Sequence, residues 1–225
     1  MNDSRLKIIV GAYGSGKSEI SVNLALKMRE QSAESKILLA DLDIVNPFYR
    51  SSDAAKTLEN NNIRLISPMY ANSNVDAPVL SGEVYVIFDD EEYSGVFDIG
   101  GEDMGATILG SMKTRLDKTD ADLWMAVNTR RPFTSTPDEI IIMASELCEA
   151  SKMKITGFIN NTNVLEQTVS EDVLEGARIL KEVEAKTGIP VVMTTVMEGV
   201  FSEDQMKLID TPAVMVMRRN IRYAY

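Results

Sequence analysis

The sequence predicts an α/β protein with a doubly wound, mostly parallel sheet and helices on both faces. Three observations carry this. Short apolar runs alternate along the chain with segments of helical periodicity. Several of those runs are apolar throughout, as expected of strands covered on both sides. With 225 residues and 44% apolar content, the chain suits a single domain spanning 1–225 with one sizeable core.

"LKIIV" (6–10) and "KILLADLD" (36–43) read as strands, and Ile20, Leu24 and Met28 between them share one helical face. "SGEVYVIFDD" fits either a strand or a helix. A parallel sheet needs a crossover before the next strand, "GVFDIGG", so a helix is expected there. "ADLWMAVN" is a further buried strand. "TPDE" (136–139) then places threonine at a helix cap, proline in the first turn and glutamate three residues after the cap. Ile140, Met143, Ala144, Leu147 and Cys148 follow on one face, making Cys148 a small core residue. "KITGFINN" and "IPVVMTTV" are strands joined by a helix from about Ser170 to just before Gly188, and "AVMVM" is the last strand.

Composition excludes several chemistries. Histidine is absent and Cys148 is the single cysteine, so zinc hydrolysis, histidine bases and internal disulfides are unavailable. The net charge of −11 argues against sequence-independent nucleic-acid binding. No run approaches the ~18 apolar residues of a membrane span. The start "MNDSRLKIIV" has no long apolar leader, so a soluble cytoplasmic protein is expected.

"GAYGSGKS" (11–18) satisfies G-x-x-x-x-G-K-[ST] between a strand and a helix, the context that a phosphate-binding loop requires. Glycines let successive N–H groups turn inward onto phosphate oxygens, and the helix start adds its positive end. The expected nucleotide contacts are Gly11, Gly14, Ser15, Gly16, Lys17, Ser18 and Glu19. Lys17 neutralises phosphate charge, and the Ser18 hydroxyl ligates Mg²⁺. Asp98 ends an apolar strand in "DIGG" and, in a D-x-x-G arrangement with Gly101, suits water-mediated contact with the metal. A solvated turn aspartate is the plain alternative. Asp41 and Asp43 stand at another strand end, the edge where open α/β sheets bind ligands. Asp41 is expected to shape the magnesium shell, and Asp43 to position water for attack. A helix cap or turn pair is the alternative. The loop 44–52, with Asn46-Pro47 and Arg50, would respond to the terminal phosphate.

At these blocks the chain resembles the MinD/ParA group of SIMIBI-class P-loop ATPases, related to the CobQ/CobB nucleotide-binding domains. The nitrogenase iron protein and the nickel-insertion ATPase of carbon monoxide dehydrogenase belong to the same group. The resemblance implies a Rossmann-like three-layer P-loop NTPase fold, Mg-ATP binding and slow hydrolysis. It also implies homodimerisation with ATP and a protein partner. In "GFINNTN" it places Asn161 on the adenine, with Asn160 as a neighbour able to substitute; a turn-forming asparagine pair is the alternative. Two departures stand out. Ala12, followed by Tyr13, replaces the group's extra lysine, and Cys148 lacks the paired cysteines of the metal-carrying members. Arg130 and Arg131, in "VNTRRPF", are either anion ligands or solvent-exposed loop residues. The basic tail "MRRNIRYAY" reads as an edge strand and tail. The remaining function classes are an ATP-dependent synthetase of the dethiobiotin synthetase or cobyrinate amidase type, and an ATP sensor that does not hydrolyse.

Overall fold

The computed structural model describes residues 4–32, 34–43, 51–67, 82–100 and 103–221. β1 (Leu6–Val10) is buried along its whole length. Leu6, Ile8 and Val10 enter one apolar layer and Ile9 the other, the alternation of a pleated strand. The chain continues through α1 (Lys17–Gln31), β2 (Lys36–Leu42), a 3-10 turn at Ser51–Ala54, α2 (Ala55–Asn60) and β3 (Ile63–Ile66). After a 3-10 turn at Gly82–Tyr85 come α3 (Val86–Asp89), β4 (Tyr93–Ile99), α4 (Asp103–Leu116), β5 (Ala121–Val127) and α5 (Pro137–Ser151). β6 (Gly157–Asn160), α6 (Ser170–Thr187), β7 (Val191–Met197), α7 (Glu203–Met206) and β8 (Val214–Met217) complete it.

Among the described residues the strands form one sheet in the order β3-β2-β4-β1-β5-β6-β7-β8. Each neighbouring pair is parallel. α3, α4, α5 and α6 cover one face, through Ile87, Leu109, Ile140 and Leu180 among others. α1 and α2 cover the opposite face through Ile20, Leu24 and Leu58. The expected three-layer, doubly wound architecture is therefore present. It places the tips of β1, β2 and β4 side by side at the ligand-binding edge.

Within "SGEVYVIFDD", residues 82–89 are helical, as a crossover before β4 requires. Thr136 caps α5: its hydroxyl accepts from Glu139 N at 3.3 Å, and Glu139 Oε2 accepts from Thr136 N at 3.1 Å. Cys148 is half-buried against the core. Four elements, α2, β3, α4 and α7, carried no clear sequence signal. β3 is a four-residue edge strand whose Arg64 is exposed between Ile63 and Leu65. α4 begins at Asp103, soon after "DIGG" in the sequence, whose glycines give no helix signal. "KITGFINN" is shorter than expected, because the strand proper begins at Gly157.

Candidate functional site

The loop from Gly11 to Gly16 turns sharply between β1 and α1. Gly11 has φ +144°, and a Cβ there would lie 2.4 Å from the Ala126 carbonyl oxygen; Gly16 has φ +84°. Side chains at either position would strain or clash, so the glycines are geometric necessities. Ser15 N donates to Ala12 O at 3.2 Å, and the Lys17 ammonium arches back over the loop to Ala12 O at 3.0 Å. α1 starts at Gly16 with no side-chain cap, whereas α5 and α7 carry capping boxes. The first-turn N–H groups of α1 thus keep their donors for a ligand.

The acidic residues come from the adjoining strand tips. Asp41 of β2 and Asp98 of β4 are partners in register, side by side. Asp98 is fully buried, and its Oδ2 accepts from the Ser51 hydroxyl at 2.7 Å. Its Oδ1 is buried without a hydrogen-bond partner among the described residues. Burial pushes the Asp98 carboxyl above the usual carboxylate range. The Ser18 and Ser51 hydroxyls and the Lys17 charge oppose the shift, and Asp43 adds to it. Asp43, also buried, donates its amide to Asp41 Oδ1 at 3.1 Å, so Asp41 stiffens the turn that carries Asp43. A Cβ at Gly100 would sit 2.6 Å from Asp43 Oδ1, which explains the first glycine after "DI".

These groups suit magnesium bound together with a nucleotide. No cluster of three or more acidic or thiol side chains among the described residues forms a metal centre by itself. A hydroxyl at Ser18 and a buried carboxylate with an open oxygen match the way Mg²⁺ is held by one or two protein groups plus phosphates.

A cavity of about 320 Å³ opens from the loop toward β6 and β7. Gly16, Lys17, Ser18 and Asp43 line it, as do Asn161, Thr195 and Met197. Asn161 does not simply await a base. Its Nδ2 donates to Ser15 O at 2.7 Å, and its Oδ1 accepts from Thr195 Oγ1 at 2.5 Å. The side chain braces the phosphate loop against β7, leaving one amide hydrogen and one lone pair for a ligand. Asn160 cannot substitute. It is fully buried, with Nδ2 on Val173 O at 2.9 Å and Oδ1 accepting from Thr162 N and Oγ1.

Glu19 lines the cavity, but its carboxylate turns to the chain's C-terminal segment. Oε1 accepts from Asn220 N at 2.7 Å and Oε2 from Ile221 N at 3.1 Å. The two arginines of "NTRR" part company. Arg130 is ion-paired with Asp172 at 2.7 Å, while Arg131 lies against Gly14 and lines the cavity. Tyr13 is exposed at the cavity mouth. Asn46, Pro47, Arg50, Gly101 and Glu102 lie outside the described residues. Sequence reasoning missed Ser51, Thr195 and the tie between Glu19 and residues 220–221. Serines, threonines and glutamates are too common for any of these to signal itself locally.

No protein-family model matches the chain, and no curated protein does. Solved structures match its fold. FtsY from Mycoplasma mycoides aligns at 18% identity over 91% of this chain, with a TM-score of 0.54. FtsY from Thermotoga maritima aligns at 14% over 91%, with a TM-score of 0.58. FlhF complexed with GTP/Mg(2+) aligns at 12% over 84%, with a TM-score of 0.53. The matched shares of those chains are 65%, 67% and 64%, so this chain spans about two thirds of their length. At such identities the likeness is one of fold, and the fold is that of the P-loop NTPases. Placement within the MinD/ParA group rests on the motifs alone. No helix among the described residues is long and apolar enough to cross a membrane.

Proposed function

We propose that this protein binds Mg-ATP and hydrolyses it slowly, its nucleotide state controlling a partner protein. The observation that carries the reading is the convergence of Lys17, Ser18 and Asp43, which line the cavity, on the buried Asp98, with Ser51 hydrogen-bonded to Asp98. Ser51 follows directly in sequence on residues 44–50, which are expected from the sequence to respond to the terminal phosphate, so a change at the phosphate has a covalent route to them. Lys17 neutralises phosphate charge, Ser18 and Asp98 hold the metal with Asp41 behind them, and Asp43 orients the attacking water. Mg²⁺, when bound, supplies further charge neutralisation on the phosphates. Positioning and electrostatics suffice for phosphoryl transfer without a strong base.

Adenine is favoured over guanine by the chemistry of the cavity wall. Guanine presents two donors, N1–H and the 2-amino group, which a single carboxylate accepts together. Among the described residues, the acidic side chains lining the cavity are Asp43 and Glu19, whose carboxylate is engaged by Asn220 and Ile221. The FtsY and FlhF likenesses favour a nucleotide-controlled switch, and FlhF's own bound nucleotide is GTP. Calorimetric titration with ATP and with GTP, each with and without Mg²⁺, decides the base; measuring mass in each nucleotide state reads out homodimer formation. Single-turnover hydrolysis by the wild type beside Asp43→Ala tests the role given to Asp43, and equal rates would remove it from catalysis. Arg131 at the cavity supports a second reading, in which ATP activates a small acid as in dethiobiotin synthetase or cobyrinate amidase. Turnover stimulated by such an acid, with a phosphorylated product, would favour it over the switch.

A further inference from the structure

Residues 218–221, which follow β8, are held against α1. Arg218 N donates to Asn23 Oδ1 at 2.9 Å, and Asn23 Nδ2 returns a hydrogen bond to Arg218 O at 3.0 Å. Two residues on, the amides of Asn220 and Ile221 both point into the Glu19 carboxylate, at 2.7 and 3.1 Å. Glu19 and Asn23 are one helical turn apart on α1, and Asn23 Nδ2 also donates to Glu19 Oε1 at 3.0 Å, so they form one continuous clamp. Beside this clamp, Met217, Arg219 and Ile221 line the same cavity as Lys17 and Ser18, and Ile221 is buried.

We infer that Glu19 is a positioning residue for nucleoside recognition, fixing residues 218–221 as the wall against which the base and ribose of the bound nucleotide pack. This rests on the nucleotide-binding reading above and assigns Glu19 a task distinct from that of its neighbours. Lys17 and Ser18 serve the phosphate tail, whereas Glu19, one residue later on the same helical turn, serves the other end of the ligand. The wall combines apolar surface from Met217 and Ile221 with Arg219, whose guanidinium is paired with Glu166. Such a surface suits a flat heteroaromatic ring better than a second phosphate group.

Binding of Mg-ATP and of magnesium tripolyphosphate, measured calorimetrically on the wild type, Glu19→Gln and Glu19→Ala, tests this. The two probes share the phosphate tail and differ in the nucleoside. Glu19→Ala is expected to weaken ATP about tenfold while leaving tripolyphosphate within about twofold, and Glu19→Gln, which keeps one acceptor oxygen, to fall between. An equal loss for both probes, or no loss for either, would overturn the assignment. A wild type that binds neither probe would defeat the nucleotide reading itself, a different result from the selective one. Melting of each variant without ligand separates a folding defect from the selective loss, and Glu19→Gln carries the test if Glu19→Ala does not fold.

Discussion

The two ends of the sheet handle buried charge in opposite ways. Near the N-terminal end of β1, Lys7 Nζ lies 2.8 Å from Asp122 Oδ2 and above the Trp124 ring. Ser4 and Thr156 hydroxyls complete the carboxylate's hydrogen bonds at 2.6 and 3.0 Å. One ammonium meets one carboxylate, and the cluster closes on itself. At the C-terminal end, Asp41, Asp43 and Asp98 share the neighbourhood of Lys17, and Asp98 Oδ1 has no hydrogen-bond partner among the described residues. Burial penalises both carboxylates. At Asp122 the hydrogen bonds from Lys7, Ser4 and Thr156 outweigh it and bring the carboxyl below its ordinary range. At Asp98 they do not, and the carboxyl is raised. A matched cluster belongs to folding, whereas the acid-rich one leaves buried negative charge without a matching side-chain cation, which fits the cation given to it in the proposed function.

This contrast can be broken at four points. The largest effect is expected from Lys7→Met. Leaving Asp122 buried without its cation should cost about 3–5 kcal/mol in denaturant unfolding, with nucleotide affinity retained by the folded fraction. The sign of the Asp122 shift adds a pH signature. A carboxyl lowered in the folded state stabilises above its unfolded value, about 3.9, and this is lost as pH falls through the lower folded value. Acid unfolding of Asp122→Asn should lack that contribution. Next, Lys17→Ala should weaken Mg-ATP binding about 100-fold, or roughly 2.7 kcal/mol, with little change in the melting temperature without ligand. Retained affinity would contradict the assignment of Lys17.

Asp98→Asn should act in the opposite direction on stability. A carboxyl raised by burial costs stability as pH rises from its unfolded to its folded value and stays ionised above it. Removing that charge should stabilise the protein without ligand by about 1 kcal/mol, roughly 2–4 °C in melting, while abolishing the magnesium dependence of nucleotide binding. A variant that melts lower would mean that the Asp98 charge is already compensated, as it is at Asp122. The smallest effect is expected from Ser51→Ala. Loss of its hydrogen bond to Asp98 should cost about 1 kcal/mol, measurable by thermal melting. In the double variant with Asp98→Asn that cost should shrink, because the hydroxyl's partner is no longer charged.

Much of this was legible residue by residue. "GAYGSGKS" announces a phosphate loop because its glycines satisfy constraints local to six residues. Thr136 and Glu139 announce the start of α5 because a capping box closes within four. Asp43 and Asp98 could be nominated because a strand's C-terminal end is visible as the end of an apolar run. The allocation of similar residues to different tasks was not legible. Arg130 and Arg131 are identical neighbours, yet one meets Asp172 and the other faces Gly14. Asn160 and Asn161 alternate across a strand end, so one is fixed in the α6 layer and the other braces the loop.

The sequence by itself therefore determined the fold class, the phosphate loop and the strand ends that carry carboxylates, since each rests on short-range sterics and periodicity. The tertiary structure decided the partners of those groups. Ser51 reaches Asp98 across 47 residues, and Asn220 reaches Glu19 across 201. Contacts of that kind leave no local pattern, because they exist only once the sheet has brought distant strand tips and residues 218–221 to one edge.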